Sequence, residues 1–520
     1  MSRLAIAIEF PDLSIPWRSS PAPQRQQSHR RPRARHYEAA STDRLNFSWP
    51  TAIYSSDQII AADHRKLVAR SRDVCRNSDY ARSYLNLLDS NIVGSNGFRL
   101  QAQPINSLDQ QIDHEAATAI EKAWKNWIRP ENCDLHKKAS FREQCRLFIR
   151  TVAKDGEFLG QKILGKNAGN PWEFALEAID TARLPISFSR TERNGNTTRF
   201  GVEFDQKTHS PVAYWIVGPP SSTYPSASWE SYNVNRIPAA QILHKFLAEE
   251  AGQKRGIPWT ATALQRIRMV SAYETAALIA ARIGASKIGH YTSELGKGYT
   301  GDDVDLDGNI IEDIEPGATR QLASGVTFQG WDPTYPTGEF EPFLKRLLHG
   351  IAAGLNVTYH ALTKDLEGFS FSSARTGILE ERDNYRQIQT FVIESFVDPI
   401  FRTWLERALL MSKLKIGPTP LNPLREEKYQ NVRWMPKRWS WVDPQKDATA
   451  AIIRLDRGLS ALSDEIIELG KDPEEVWQRI KSDQDRLEAI GIDLTPSSSS
   501  QMIALVAGAV AAATKQDPEE

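Results

Sequence analysis

Between residues 373 and 412 the sequence keeps a single apolar stripe at helical spacing: Ile378, Leu379, Tyr385, Ile388, Val392, Phe396, Phe401 and Leu405. The stretch predicts one very long helix, kinked at Pro399, whose ring clashes with the preceding turn. Two more long periodic stretches precede it, 260–287 and 339–355. The second carries Phe340, Phe343, Leu344, Leu347, Leu348 and Ile351 on one face. Residues 288–338 between them lack helical periodicity and are rich in Gly and Asp. Two long helices flanking a compact insertion predict an antiparallel pair with a module at its tip. A single compact enzyme domain rarely has that order.

The rest of the chain fits an α+β reading. Residues 56–93 read as helical, with Leu67, Val74, Tyr84, Leu85, Leu88 and Ile92 near helical spacing and Gly94 and Gly97 as stops. Helices are also predicted over 113–129, ended by Pro130, and over 140–155. From 157 to 245, short alternating segments separated by turn signals such as Asn194-Gly195 predict a sheet packed on those helices. Residues 413–443 are rich in Trp and Pro and read as loops with short strands. Residues 444–490 read as short helices broken at Gly458 and Gly470, and a Ser- and Ala-rich tail follows from 493.

Composition removes several classes of function. The 520 residues carry 64 Lys+Arg against 65 Asp+Glu, a net charge of −1, so this is not a protein that coats a polyanion. A hydrophobic content of 40% rules out wholesale disorder. Three cysteines, Cys75, Cys133 and Cys145, rule out a disulfide scaffold and read as buried thiols in a reducing compartment. The N-terminal stretch is broken by Glu9 and lacks the pattern of a signal peptide. The apolar run from Met502 to Ala513 is shorter than the roughly 20 residues a membrane span needs. The expectation is a soluble cytoplasmic protein, or part of a particle assembled in the cytoplasm. Residues 1–50 hold eight Arg against two Asp and two Glu, and read as a basic, disordered tail or an arm that touches a partner.

Catalytic motifs are weak. Gly289–Lys297 resembles a phosphate-binding loop, but six residues separate its glycines and Gly298 stands where Ser or Thr belongs. Asp303, Asp305, Asp307 and Gly308 open like a calcium-binding loop. Its twelfth position is Ile314, where a bidentate Glu is needed. The simpler reading is a solvated acidic turn. Asp302, Asp303, Asp305, Asp307, Glu312, Asp313 and Glu315 include no Lys or Arg among them. They make a negative patch suited to facing a basic partner or repelling phosphates. Cys133, His136 and Cys145 match no zinc spacing. Asp155-Gly156-Glu157 reads as a tight turn between helix and strand, since adjacent acids do not by themselves form an acid–base pair. No cofactor, metal or catalytic residue is expected. The loop 360–375 is the most unusual segment. It carries Phe369, Phe371 and Lys364, and Ser372 or Ser373 can cap the helix that follows. Such a loop either packs on a neighbour or lines a passage, or it is an ordinary connection whose aromatics reach the core.

The stretch Arg70–Leu100 (RSRDVCRNSDYARSYLNLLDSNIVGSNGFRL) resembles the N-terminal block of lambda-type phage portal proteins. Lys154–Gly160, Asn235–Phe246, Gly252–Trp259, Ile351–Arg375 and Trp441–Ala450 match that family in the same order, so the resemblance covers roughly residues 60–490. It implies a multi-domain α+β portal fold that forms a ring, typically a dodecamer, at one capsid vertex. In those terms 1–55 is the arm, 56–259 the wing, 260–287 and 339–355 the stem helices, and 288–338 the clip. Residues 356–372 become the tunnel loop, 373–443 the long wing helix with following strands and loops, 444–492 the crown and 493–520 a mobile tail. The implied partners are other copies of the chain, the terminase large subunit, capsid and scaffold proteins, a head–tail connector, and double-stranded DNA passing through without sequence readout. No membrane is implied. A conduit must not grip its cargo, and near-neutral charge with an acidic clip suits that. Lys364, Asp365, Glu367, Phe369 and Phe371 become channel candidates, and the seven acids a docking patch. Two competing readings remain: a metal-dependent nucleic-acid enzyme built on those acids, and another ring-forming head–tail adaptor. Crowding the carboxylates into one turn disfavours the first, because two-metal sites hold their ligands on separate rigid elements.

Overall fold

The computed structural model describes residues 44, 46–106, 111–218, 234–285, 289–293, 303–304, 310–311, 326–330, 340–367, 371–439 and 444–489. The chain divides into two compact units. In the first, ending at Tyr54, Trp49 N donates to Asn46 O (2.9 Å) to close a turn. The second begins at Ser55 and carries the elements that follow. Most of the basic arm and all of the tail from 493 lie outside the described residues.

Ser55 and Gln58 form a reciprocal cap that starts the helix Ser56–Asn77. The helical reading of 56–93 resolves into three pieces. Ser78 adopts an extended conformation between Asn77 and the helix Asp79–Leu88, and a wide turn Asp89–Val93 ends at Gly94 with φ +65°. Asp113 caps the helix His114–Trp127 through Ala116 N (3.1 Å). Pro130 does more than stop it, because it opens a further turn, Pro130–Cys133, where its missing N–H costs nothing. Ser140 and Glu143 start the helix Phe141–Asp155, and Gly156 at φ +91° ends it.

The predicted long helix is also interrupted. It runs Phe371–Val392, widens through Ile393–Val397, and continues as Asp398–Leu410 with Pro399 in its first turn. The wide turn ends two residues before Pro399, so the ladder is irregular where the proline ring removes a donor. From Tyr385 onward the apolar stripe packs into an aromatic core, whereas Leu379 near its start is 45% exposed. Trp124 and Trp127 stack at 5.0 Å. Trp127 lies parallel to Phe174 at 5.2 Å, and Trp404 meets Trp124 edge-on at 5.0 Å. Phe396 stacks on Phe148 at 4.6 Å. Trp127 Nε1 donates to Phe174 O (3.1 Å), whereas the buried Trp404 Nε1 has no hydrogen-bond partner among the described residues.

The β region forms two antiparallel sheets. Glu157–Leu164 is the central strand of three, between Phe174–Ile179 and Ile242–Phe246. A five-stranded meander runs from Arg190–Thr191 through Thr197–Arg199, Val202–Phe204 and Pro211–Val217 to Val234–Pro238. Leu159, Ile179, Leu184, Val202, Tyr214, Ile216 and Ile242 form the smaller core shared by the two sheets. A separate pairing joins distant parts of the chain, as Arg99–Ala102 lies antiparallel to Val432–Met435.

The helices Leu264–Ala285 and Phe340–Gly354 pack against each other. Their approach is close near Gly350 and Gly354, whose carbonyls accept from Arg266 Nη1 (3.0 Å) and Thr262 Oγ1 (2.8 Å). Tyr273 stacks on Phe340 at 5.5 Å. Between these helices the described residues form two short ladders. Gly289–Ser293 pairs with Val326–Gly330, and Asp303–Val304 pairs with Ile310–Ile311.

Candidate functional site

The segment after Gly354 is more ordered than a plain loop. Thr358 Oγ1 accepts from Ala361 N (3.3 Å) and starts a short helix, Tyr359–Thr363. Lys364 ends it in the left-handed region at φ +64°, which a non-glycine residue adopts only where its surroundings hold it. Asp365 supplies that hold. Its carboxylate accepts from Tyr359 Oη (2.8 Å) and from Glu367 N (2.9 Å), and Lys345 Nζ stands 3.8 Å away. The Glu367 N–H and then the Tyr359 hydroxyl keep this carboxyl below its ordinary value. Behind it, His349 stacks on Tyr359 at 4.2 Å, and burial followed by the nearby Arg346 lowers the imidazole.

Lys364 itself is exposed. It borders a shallow hollow of about 390 Å³ with Asp79, Arg82, Ser83 and Asn86 of the second helix. The structure therefore brings Lys364, Asp365 and Glu367 together on one tightly turned segment. Phe371 is the first residue of the helix that follows. Phe369 lies outside the described residues. Of the seven acids, Asp303 stands in a strand opposite Ile311. Asp302, Asp305, Asp307, Glu312, Asp313 and Glu315 lie outside the described residues.

A second feature is the surface of the paired helices. Leu264, Ile267 and Val270 are buried at the start of Leu264–Ala285. Met269, between two of them, is 63% exposed; further along, Leu278 is 63% and Ile279 50% exposed, and Phe343 on the partner helix is 51% exposed. The first of these helices is apolar around much of its circumference, and the second covers only one side.

A buried ionic centre escaped the sequence reading. Glu157, in the Asp155-Gly156-Glu157 turn, is 1% exposed and sits against Arg255, also 1% exposed. Arg255 Nε donates to both carboxylate oxygens at 2.9 Å and its Nη2 donates as well. Gly256 N donates at 3.0 Å, and His244 Nε2 lies 3.0 Å from Oε2, so that nitrogen carries the proton. Arg255 Nη1 donates to Leu184 O and Phe200 O, both at 3.0 Å. Burial opposes the charge on Glu157, but Arg255 and His244 overcome it and hold the carboxyl well below the usual range. His64 stands 3.9 Å from Glu157 yet is no ion partner. Burial lowers it to about 4, so it is neutral near pH 7.

Next to this centre, Arg72 forks onto Asp155 (2.9 and 2.7 Å) and reaches Asp180 (2.6 Å). The centre ties together the central strand, the 252–257 segment and the ends of the second sheet, so it reads as a structural clamp. A basic residue preceding a glycine a hundred positions downstream was the available signal. Nothing local pairs it with the acid.

Among the described residues no group of three or more His, Cys, Asp or Glu side chains is arranged to hold a metal ion. Cys133 and Cys145 are buried free thiols. Burial pushes Cys133 up to about 12, and its Sγ donates to Ile128 O (3.4 Å). His136 instead faces Glu177 at 3.9 Å. No described helix is long and apolar enough to cross a membrane.

Residues 42–389 match the family model described as phage portal protein, lambda family. A probable portal protein of Halomonas phage phiHAP-1 is 34% identical over 465 residues, covering 88% of each chain. Portal protein B of Escherichia phage lambda is 22% identical over 480 residues, covering 85% of this chain and 88% of its own. A chain in the neck of a native GTA particle computed with C12 symmetry overlaps at a TM-score of 0.42 with 12% identity. It covers 79% of this chain and 94% of that one, a likeness too low to bear on fold or symmetry.

Proposed function

The chain belongs to the lambda family of phage portal proteins, and from that premise we propose that its copies close into a ring, a dodecamer, around a channel for double-stranded DNA. The DNA enters during packaging and leaves at ejection. The observation that carries ring closure is the apolar surface at Met269, Leu278, Ile279 and Phe343. A lone subunit leaves these side chains about half in water, and burying the remainder of each contributes about 1–2 kcal/mol. Ring closure is heterologous, so this patch meets a different patch on the neighbour.

On this reading the two helices are the stem and 288–338 the clip, which docks the terminase large subunit first and a connector later through its acids. The wing, 56–259, meets capsid and scaffold proteins, and 444–492 forms the crown. The ring sits at one vertex of the virion after assembly in the host cytoplasm. It is a structural conduit and not an enzyme. The turned segment at 364–367 faces the channel. There Lys364 gives a sparse circle of positive charge that touches phosphates without base readout, and Asp365 and Glu367 moderate it.

Native mass spectrometry with negative-stain imaging of the purified full chain tests the reading. The expected result is a closed ring of about twelve subunits with a hole wide enough for duplex DNA. A monomer or dimer that persists at high concentration and with added scaffold protein would overturn it.

A further inference from the structure

A pocket of about 170 Å³ lies between the helix Phe371–Val392, the segment after the strand Val432–Met435, and the helices Pro444–Asp456 and Leu462–Glu468. Arg375, Leu379, Arg382 and Arg386 recur at helical spacing, so the long helix turns three guanidinium groups to one wall. Arg438 and Arg454 complete the wall from the other elements. We infer that this pocket is a binding site for a phosphate group.

The charge balance is the first reason. Five arginines line the pocket with two carboxylates, Asp447 and Glu468, while Glu465 and Asp383 hold two of the five from outside it. Arg375 already holds Asp447 at 3.0 Å. Arg454 forks onto Glu465 at 2.8 and 2.7 Å and reaches Glu468 only at 4.0 Å. Arg386 pairs with Asp383 at 2.6 Å, on the exposed side. Among the described residues Arg438 makes no ion pair. Arg382 and Arg386 lie over the Trp439 ring at 5.7 and 6.0 Å, which gathers two guanidinium groups at one indole.

Gathering like charges at a half-buried site is unfavourable unless an anion completes it. Consistent with that crowding, burial and then the Arg386 charge lower the proton affinity of both Arg382 and Arg438. Planar guanidinium forks match the oxygen spacing of a phosphate, and the match is lost with an ammonium. The space of about 170 Å³ has room for a tetrahedral oxyanion with part of its hydration. The phosphate is either a backbone phosphodiester of nucleic acid or free inorganic phosphate. The site lies within one subunit and does not depend on ring closure.

The test is isothermal titration calorimetry of the full chain at low salt with inorganic phosphate, then with a short oligothymidylate. The Arg386→Gln/Arg438→Gln double variant should bind phosphate about tenfold more weakly or worse. Lys207→Ala, on an exposed turn of the five-stranded sheet, should bind it as the wild type does. Competition by the oligonucleotide, lost in the same double variant, assigns the backbone as the source, and phosphate uptake without competition assigns the free anion. Wild-type heats no larger than those with chloride, or double-variant affinity within about twofold of wild type, would overturn the site. Should the double variant lose its circular dichroism, Arg438→Lys carries the test, since it keeps the charge and loses the fork. Affinity unchanged by that substitution would also overturn the site.

Discussion

Replacing Arg255 with methionine tests the buried clamp most directly. The change removes every guanidinium hydrogen bond to Glu157 and leaves Leu184 O and Phe200 O without their donor. Glu157 keeps Gly256 N and His244, but its main counter-charge is gone. Breaking a buried pair in this way costs about 3–5 kcal/mol, chiefly because a charge stays buried alone.

The cost depends on pH in a defined direction. In the wild type the Glu157 carboxyl is held below its ordinary value, so its contribution is complete above about pH 4.5 and is lost as pH falls through the folded value. In the variant, burial dominates and raises the carboxyl, so the folded variant gains a proton that the unfolded chain lacks. Its deficit must therefore shrink as pH falls towards 4.5 and be largest near neutrality. Urea denaturation at several pH values, followed by tryptophan fluorescence, measures both the size and the slope. A Glu157→Gln/Arg255→Met double variant should recover part of the loss, since no charge is then stranded. A deficit under about 1 kcal/mol, or one that is flat from pH 5 to 8, would refute the argument that this pair holds the sheets together.

Four further outcomes are expected. Gly156→Ala should fail to give soluble folded protein, because a Cβ there overlaps the backbone of Gly256 and Ile257 and the residue sits at φ +91°. Lys364→Gly should leave urea stability within about 1 kcal/mol, whereas β-branched Lys364→Val should cost roughly 1–2 kcal/mol through the left-handed backbone. Lys364→Glu should assemble normally yet impair packaging or retention of DNA in particles, and wild-type packaging would sink the channel role. Leu278→Asp should leave the subunit folded by circular dichroism but prevent ring formation in native mass spectrometry, because Leu278 lies on the exposed apolar face and not in the core.

The helical periodicities were legible because period 3.6 is a local property: the residues that share a stripe are neighbours in sequence. Hence the stripe of Phe396, Phe401 and Leu405 could be read directly, and so could the stop at Gly94. What was misjudged is also physical. Ser78 breaks a helix that its flanking pattern alone would continue. The wide turn at Ile393–Val397 adds a residue ahead of Pro399 that no spacing rule announces. Tyr359–Thr363 forms a helix inside an expected loop, because Thr358 caps it and Asp365 closes it.

The sequence by itself determined the alternation of helical and strand segments, the near-neutral charge and the ordered motifs of the family. Each of these is a property of composition or of residues a few positions apart. Only the tertiary structure decided that Glu157 meets Arg255, that Arg99–Ala102 pairs with Val432–Met435, and that Arg386 and Arg438 line one pocket. Those contacts span long stretches of chain. They depend on how the aromatic core stacks the helices and on how strand register places side chains across a sheet. Neither burial nor counter-charge is written in the local pattern, so an acid beside a glycine reads as a turn until the arginine that neutralises it is brought alongside.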